Sequence, residues 1–246
     1  MTLKCRFLEA LFRLVSCYIK NRIEGTENLP PKGEGYIAAA NHRSFIDGLI
    51  MPQVLFTARK EAVHMVSYHF LFDIFVLGTI MRWAQGLVLD ASSKAGIERF
   101  MADARRMLVE KHECVGLHPE AHIQTNTARL GKGRPGAAQL SIETGCPVVP
   151  VGLIGTDVVM PAGSTKMNYK RRAISMLIGK PIYFTEYKKA YDQADQRARR
   201  EILAGCTTLV MLEIAKLTRQ PYPFGERSLE RLAKYRAASG SSGGRC

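Results

Sequence analysis

The sequence predicts an α/β fold: a mainly parallel central sheet of about seven strands flanked by helices, with an N-terminal amphipathic helix. Three observations carry this. Apolar runs of strand length alternate with longer segments of helical periodicity, and Gly, Pro and Asn clusters separate them. No internal linker or repeat divides the 246 residues, which suffice for one sizeable core.

The elements follow in order. Residues 3–19 place Leu8, Leu11, Phe12, Val15, Tyr18 and Ile19 on one helical stripe, with Lys4, Arg6, Arg13 and Lys20 beside it. This suits an interfacial helix. The stripe is too interrupted to cross a bilayer and carries no small-residue cleavage site, and packing on the domain remains equally open. Strands are expected at 22–25, 36–40, 62–66, 86–89, 114–118, 148–153 and 173–178. Helical spacing covers 45–56, 94–111 (through Ile97, Met101, Ala104 and Leu108) and 134–144, closed by Gly145. After Tyr187 the chain turns charged and helical to Leu217, with Ile202, Leu209, Leu212 and Ile214 facing the domain. The apolar run 70–81 is broken by Asp73 and too short to span a membrane, so it packs on the sheet or lines a tunnel. The expected organisation is a helix over 1–20, one domain over 21–220, and a C-terminal extension over 221–246 whose low-complexity piece, 237–244, is disordered.

Thirty-five basic residues against 22 acidic ones give a net charge of +13 and call for an anionic partner. Nucleic acid fits poorly, because the chain has no zinc-finger spacing, no aromatic RNA-binding signature and a single tryptophan. Anionic lipid, coenzyme A phosphates or an acidic carrier protein fit better, and a solvated basic surface with no dedicated partner stays open. The six cysteines, at 5, 17, 114, 146, 206 and 246, form no C-x-x-C pair, which indicates a reducing compartment and buried, unreactive thiols.

The stretch 41–47 (NHRSFID) holds a histidine and a carboxylate with four residues between them, where an apolar strand turns into a helix. Within one continuous helix His42 and Asp47 would diverge by roughly 140°. A contact therefore requires His42 to precede the helix, with Ser44 as the N-cap that breaks it. Spacing alone leaves two readings level: a general base with its orienting carboxylate, or a helix cap with a histidine in front of it.

Three further blocks decide between them: 86–90 (GLVLD), 117–120 (LHPE) and 147–151 (PVVPV) follow NHRSFID in order. Together they resemble the glycerophospholipid acyltransferase family, whose type members acylate 1-acylglycerol-3-phosphate. The similarity runs from about residue 23 to 184. It implies acyl transfer from acyl-CoA or acyl-carrier protein to a hydroxyl or amine, with His42 as general base and Asp47 holding its imidazole. No bound cofactor, metal or covalent enzyme intermediate is needed. The resemblance, with the charge, also implies a cytoplasmic protein, peripheral on the inner face of the cell membrane, and an acyl tunnel near 70–81.

The departures from the family pattern matter as much. Arginines end the second and third blocks in the family and are taken to grip the acceptor phosphate, and a lysine often follows the apolar run at 63–66. Here these positions hold Ala91, Ile123 and Ser67. Each change removes a charge-assisted phosphate contact. The resemblance then places the acceptor pocket at Glu120, His118, His122 and Ser67, and the imidazoles suit a polyhydroxylated or amine-bearing acceptor. Arg129, Lys132 and Arg134 in ARLGKGRPG either replace the lost cations or meet donor phosphates; GKGRPG lacks nucleotide-loop spacing. Pro119 directly after His118 speaks against a two-histidine metal site on one helix. Two other classes stay open: a non-catalytic acyl or carrier-protein binding module, and a thioester hydrolase.

Overall fold

The computed structural model describes residues 20–126, 128–164, 166–168 and 173–240. The expected N-terminal helix lies outside them. Seven strands form one sheet: β1 (Lys20–Glu24), β2 (Tyr36–Ala40), β3 (Val63–Tyr68), β4 (Leu87–Leu89), β5 (Cys114–Leu117), β6 (Val148–Ile154) and β7 (Ala173–Ile178), in the order β1-β7-β6-β2-β5-β3-β4. Every neighbouring pair is parallel except β6 with β7. The predicted fold class is the observed one.

The centre of the sheet explains its own sequence. β2 lies between β5 and β6 and is buried along all five residues, so it reads YIAAA rather than alternating apolar with polar. Its pleat still alternates. Tyr36, Ala38 and Ala40 face α1 (Asp47–Arg59) through Ile50, Met51, Val54 and Leu55. Ile37 and Ala39 face the other layer, where α4 (Lys94–Val109), α5 (Gly136–Thr144) and α8 (Gln196–Thr218) pack together. The sequence expectation of one helical stretch from 187 to 217 resolves into α7 (Lys188–Gln193) and α8, because Asp195 caps α8 by accepting from the amide of Ala198 at 2.7 Å.

Two regions differ from expectation. The run 70–81 forms two short helices, α2 (His69–Phe72) and α3 (Phe75–Trp83). Phe72 is buried, but Phe70, Ile74, Phe75 and Trp83 are exposed, Phe75 to 86 %. Much of the apolar surface of the described side chains here therefore faces outward rather than packing on the sheet. The extension past 220 is also structured: α9 (Glu226–Gly240) packs on α8, with Leu232 buried and the Tyr235 hydroxyl donating to Glu201 at 2.9 Å. Its polar composition hid the buried Leu232 and the Tyr235 packed beside it on the core; residues 241–246 lie outside the description. Among the described residues no helix is long and apolar enough to cross a membrane. α6 (Thr156–Val159) is a single turn after β6.

Candidate active site

The parallel strands β2, β3, β4 and β5 end along one edge, where loops leave the sheet and reacting groups collect. Asn41 continues β2 past its last residue: its side-chain oxygen accepts from the Leu153 amide at 2.7 Å and its nitrogen donates to the Leu153 carbonyl at 2.8 Å. The side chain thus mimics one more rung of the ladder to β6. It fixes where the next residue, His42, leaves the sheet.

Helix α1 begins at Asp47, and Ser44 is not its N-cap, a correction to the sequence reading. The Ser44 hydroxyl instead donates to the Met160 carbonyl at 2.6 Å. Oδ2 of Asp47, the first residue of the helix, reaches back into the loop and accepts from the amides of Arg43 at 2.6 Å and Ser44 at 2.7 Å. The same oxygen lies 3.0 Å from Nδ1 of His42. The five-residue separation closes because 42–46 is a loop. One carboxylate oxygen thus holds both the loop amides and the imidazole.

Asp47 is fully buried while the His42 side chain is 18 % exposed, which leaves the imidazole reachable. Burial alone would push the Asp47 carboxyl up, but the His42 hydrogen bond, the His118 and His42 rings and the Thr156 hydroxyl hold it below its usual value. It stays ionised. An ionised carboxylate on Nδ1 selects the tautomer with the proton there and leaves Nε2 its lone pair.

His118 follows β5 and stacks face to face on His42, with ring centroids 4.1 Å apart and planes 7° from parallel. Its Nδ1 donates to the carbonyls of Ala40 and Asn41, each at 3.1 Å. Burial, reinforced by the His42 charge, pushes it down to about 4, so it is neutral near pH 7. Glu120 is buried, with Oε1 accepting from the His42 amide at 2.9 Å and Oε2 from the Gly131 amide at 2.6 Å. Burial raises its carboxyl against the pull of those two amides and of Arg43. A side chain at Gly131 would strike that carboxylate, with Oε2 only 2.7 Å from the position of a Cβ. The structure thus builds His118 and Glu120 into the wall behind His42, with both Glu120 oxygens engaged by the main chain.

The remaining candidates are more dispersed. His122 is exposed and stacks on Tyr68 at 5.7 Å, apart from His118, and Ser67 sits in β3 opposite Val88. Among the described residues no three His, Cys, Asp or Glu side chains form a metal-binding group. Arg129, Lys132 and Arg134 are exposed on the loop that carries Gly131, and Arg129 lies 5.5 Å over the Phe224 ring. A cleft of about 610 Å³ runs along β4 and α4, lined by residues that include Val88, Asp90, Arg99 and Arg106; His42 is not part of its wall.

Sequence reasoning missed Arg43. Its guanidinium is buried and donates to the carbonyls of Asn126 and Arg129 and, at 3.0 Å, to the side chain of Gln220. It ties the histidine loop to the basic loop. Its place inside NHRSFID was the available signal, but no local pattern distinguishes it from a solvated arginine.

This geometry gives the comparisons with known proteins something to explain. Residues 20–154, from the start of β1 to the end of β6, match the family described as Acyltransferase. The chain belongs to the acyltransferase family. Among its relatives, 1-acyl-sn-glycerol-3-phosphate acyltransferase BAT2, chloroplastic, of Brassica napus is 30% identical over 193 residues, 76% of this chain and 53% of the relative. The corresponding protein LPAT1, chloroplastic, of Arabidopsis thaliana is 29% identical over 182 residues, 72% of this chain and 48% of the relative. The chain spans about half the length of these curated relatives. The crystal structure of the 1-acyl-sn-glycerophosphate acyltransferase PlsC from Thermotoga maritima superposes with a TM-score of 0.62 at 18% identity, over 89% of this chain and 81% of that one. That likeness shows the fold. Within this family member, the matched segment contains His42, Asp47, His118 and Glu120 and ends two residues before Thr156.

Proposed function

We propose that this acyltransferase-family chain moves a fatty acyl group from a thioester, acyl-CoA or acyl-carrier protein, to an acceptor hydroxyl or amine, with His42 as general base. The observation that carries the reading is the 3.0 Å contact between Nδ1 of His42 and the buried Asp47 carboxylate. With Nδ1 engaged, Nε2 takes the acceptor proton as the acceptor oxygen bonds to the thioester carbon. Asp47 stabilises the imidazolium that forms. When the tetrahedral intermediate collapses, the carbon–sulfur bond breaks and the imidazolium returns its proton to the leaving thiolate. The neutral His118 ring backs the imidazole without adding charge to it.

Thioester consumption, measured with and without an alcohol acceptor, tests this. Acceptor-dependent consumption supports transfer, acceptor-independent consumption means hydrolysis, and none means a binding module.

The acceptor divides the family resemblance from this chain's own residues. The relatives' names favour 1-acylglycerol-3-phosphate. Ala91, Ile123 and Ser67 favour an uncharged or amine-bearing acceptor, because none offers a cation to a phosphate. We expect neutral alcohols or amines to outperform lysophosphatidate by about tenfold in kcat/KM, the worth of one lost charge-assisted hydrogen bond. Preferential acylation of lysophosphatidate in the same assay would restore the conventional reading and assign the phosphate to Arg129, Lys132 or Arg134.

An anionic bilayer is the surface from which such substrates arrive. Phe70, Ile74, Phe75 and Trp83 stand exposed after β3, and the chain carries a net charge of +13. Phe75→Asp is expected to weaken sedimentation with anionic phospholipid vesicles by about tenfold, since it withdraws one aromatic side chain from the interface. Turnover of a water-soluble short-chain thioester should not change. Undiminished vesicle binding would mean that this face is not the one that meets lipid.

A further inference from the structure

Oδ2 of Asp47 receives the amides of Arg43 and Ser44 and the ring of His42, while Oδ1, equally buried, has no geometric hydrogen-bond partner. The hydroxyl of Thr156 is in the same condition: the residue is fully buried and its Oγ1 has no such partner. The two orphaned groups belong to segments clamped together on both sides. Asn41 is bonded twice to Leu153, before Thr156, and Ser44 is bonded to Met160, after it. Between these clamps Gly155 turns the chain at φ 84, a left-handed conformation that glycine adopts without strain, and delivers Thr156 to the catalytic loop.

We propose that Thr156 is a positioning residue of the His42–Asp47 pair, its hydroxyl donating to Oδ1 of Asp47. This rests on the acyl-transfer reading above. The Thr156 hydroxyl is among the groups that hold the Asp47 carboxyl below its usual value, which places it beside that carboxylate. A buried carboxylate whose donors all sit on one oxygen has nothing to fix its rotation about Cβ–Cγ. A donor on the second oxygen locks the plane and keeps Oδ2 on the imidazole. A small rotation of the Thr156 side chain closes the bond and satisfies both buried atoms at once.

Two substitutions separate this role from packing. Thr156→Val keeps the shape and removes the hydroxyl; Thr156→Ser keeps the hydroxyl and removes the methyl. With the water-soluble thioester and a fixed alcohol, Thr156→Val should lower kcat about tenfold with KM within about twofold, and Thr156→Ser should restore kcat to within about twofold. A packing role predicts the reverse order, with valine active and serine impaired. Wild-type kcat in Thr156→Val, or equal losses in both variants that track their melting temperatures, overturns the proposal. Should the valine variant not fold, Thr156→Ala against Thr156→Ser repeats the comparison, since they differ only by the hydroxyl. His42→Ala runs alongside: an inactive His42→Ala with a fully active Thr156→Val sinks the positioning role alone, and an active His42→Ala sinks the transfer reading.

Discussion

His42→Ala is expected to lower kcat by on the order of 10²–10⁴-fold, the usual contribution of a positioned general base, with little change in KM. The fold should survive. The imidazole is partly exposed, and Asp47 keeps its two amide donors from Arg43 and Ser44 when the ring is gone. The loss is one hydrogen bond and one stacked ring contact, roughly 1–2 kcal/mol. Circular dichroism and thermal unfolding should therefore show a native protein melting only a few degrees lower, at about 2–4 °C per kcal/mol for a chain of this size. A folded His42→Ala protein with undiminished acceptor-dependent thioester consumption would remove the base from the mechanism.

Arg43→Met should have the largest effect on stability. The guanidinium satisfies two backbone carbonyls and the Gln220 side chain, and its charge offsets the buried Glu120 carboxylate. Methionine fills similar space but removes all three hydrogen bonds and leaves the carboxylate without the guanidinium charge. Breaking a buried charged network from one side costs about 3–5 kcal/mol, which here corresponds to a fall in Tm of roughly 6–20 °C. Activity should fall as well, because Glu120 bridges the amides of His42 and Gly131 and loses the guanidinium charge that lowers its carboxyl. Arg43→Lys, which keeps the charge but not the planar fork, should lie between the two. Differential scanning calorimetry on the three proteins checks the order, and a wild-type Tm for Arg43→Met would show that the clamp contributes nothing.

The fold was legible where burial is continuous. β2 and β7 begin and end where the apolar runs 36–40 and 173–178 do, and α4 starts at the predicted Lys94 because Ser93 caps it by accepting from the Gly96 amide at 3.0 Å. These are local rules, and local sequence obeys them. The 70–81 run defeated the same logic, since an apolar segment announces that it avoids water without naming what it meets. α9 failed in the opposite direction: Leu232 anchors it, and one buried leucine in a charged stretch leaves almost no periodic signal.

The candidate site divides in the same way. His42 and Asp47 were readable because they lie five positions apart and belong to a motif; their contact needs only a loop followed by a helix start. The placement of His118 and Glu120 against His42 was not, because it depends on β5 lying beside β2 and on a pairing across 78 positions. Arg43 reaches 177 positions to Gln220, and the segment that carries Thr156 is clamped to the histidine loop only because β6 flanks β2 on its other side. Sequence by itself determined the strand–helix alternation and set His42 and Asp47 within one short motif, both products of short-range spacing and composition. The tertiary structure alone decided which side chains brace that pair, because the order of strands in a sheet sets distances that no spacing along the chain encodes.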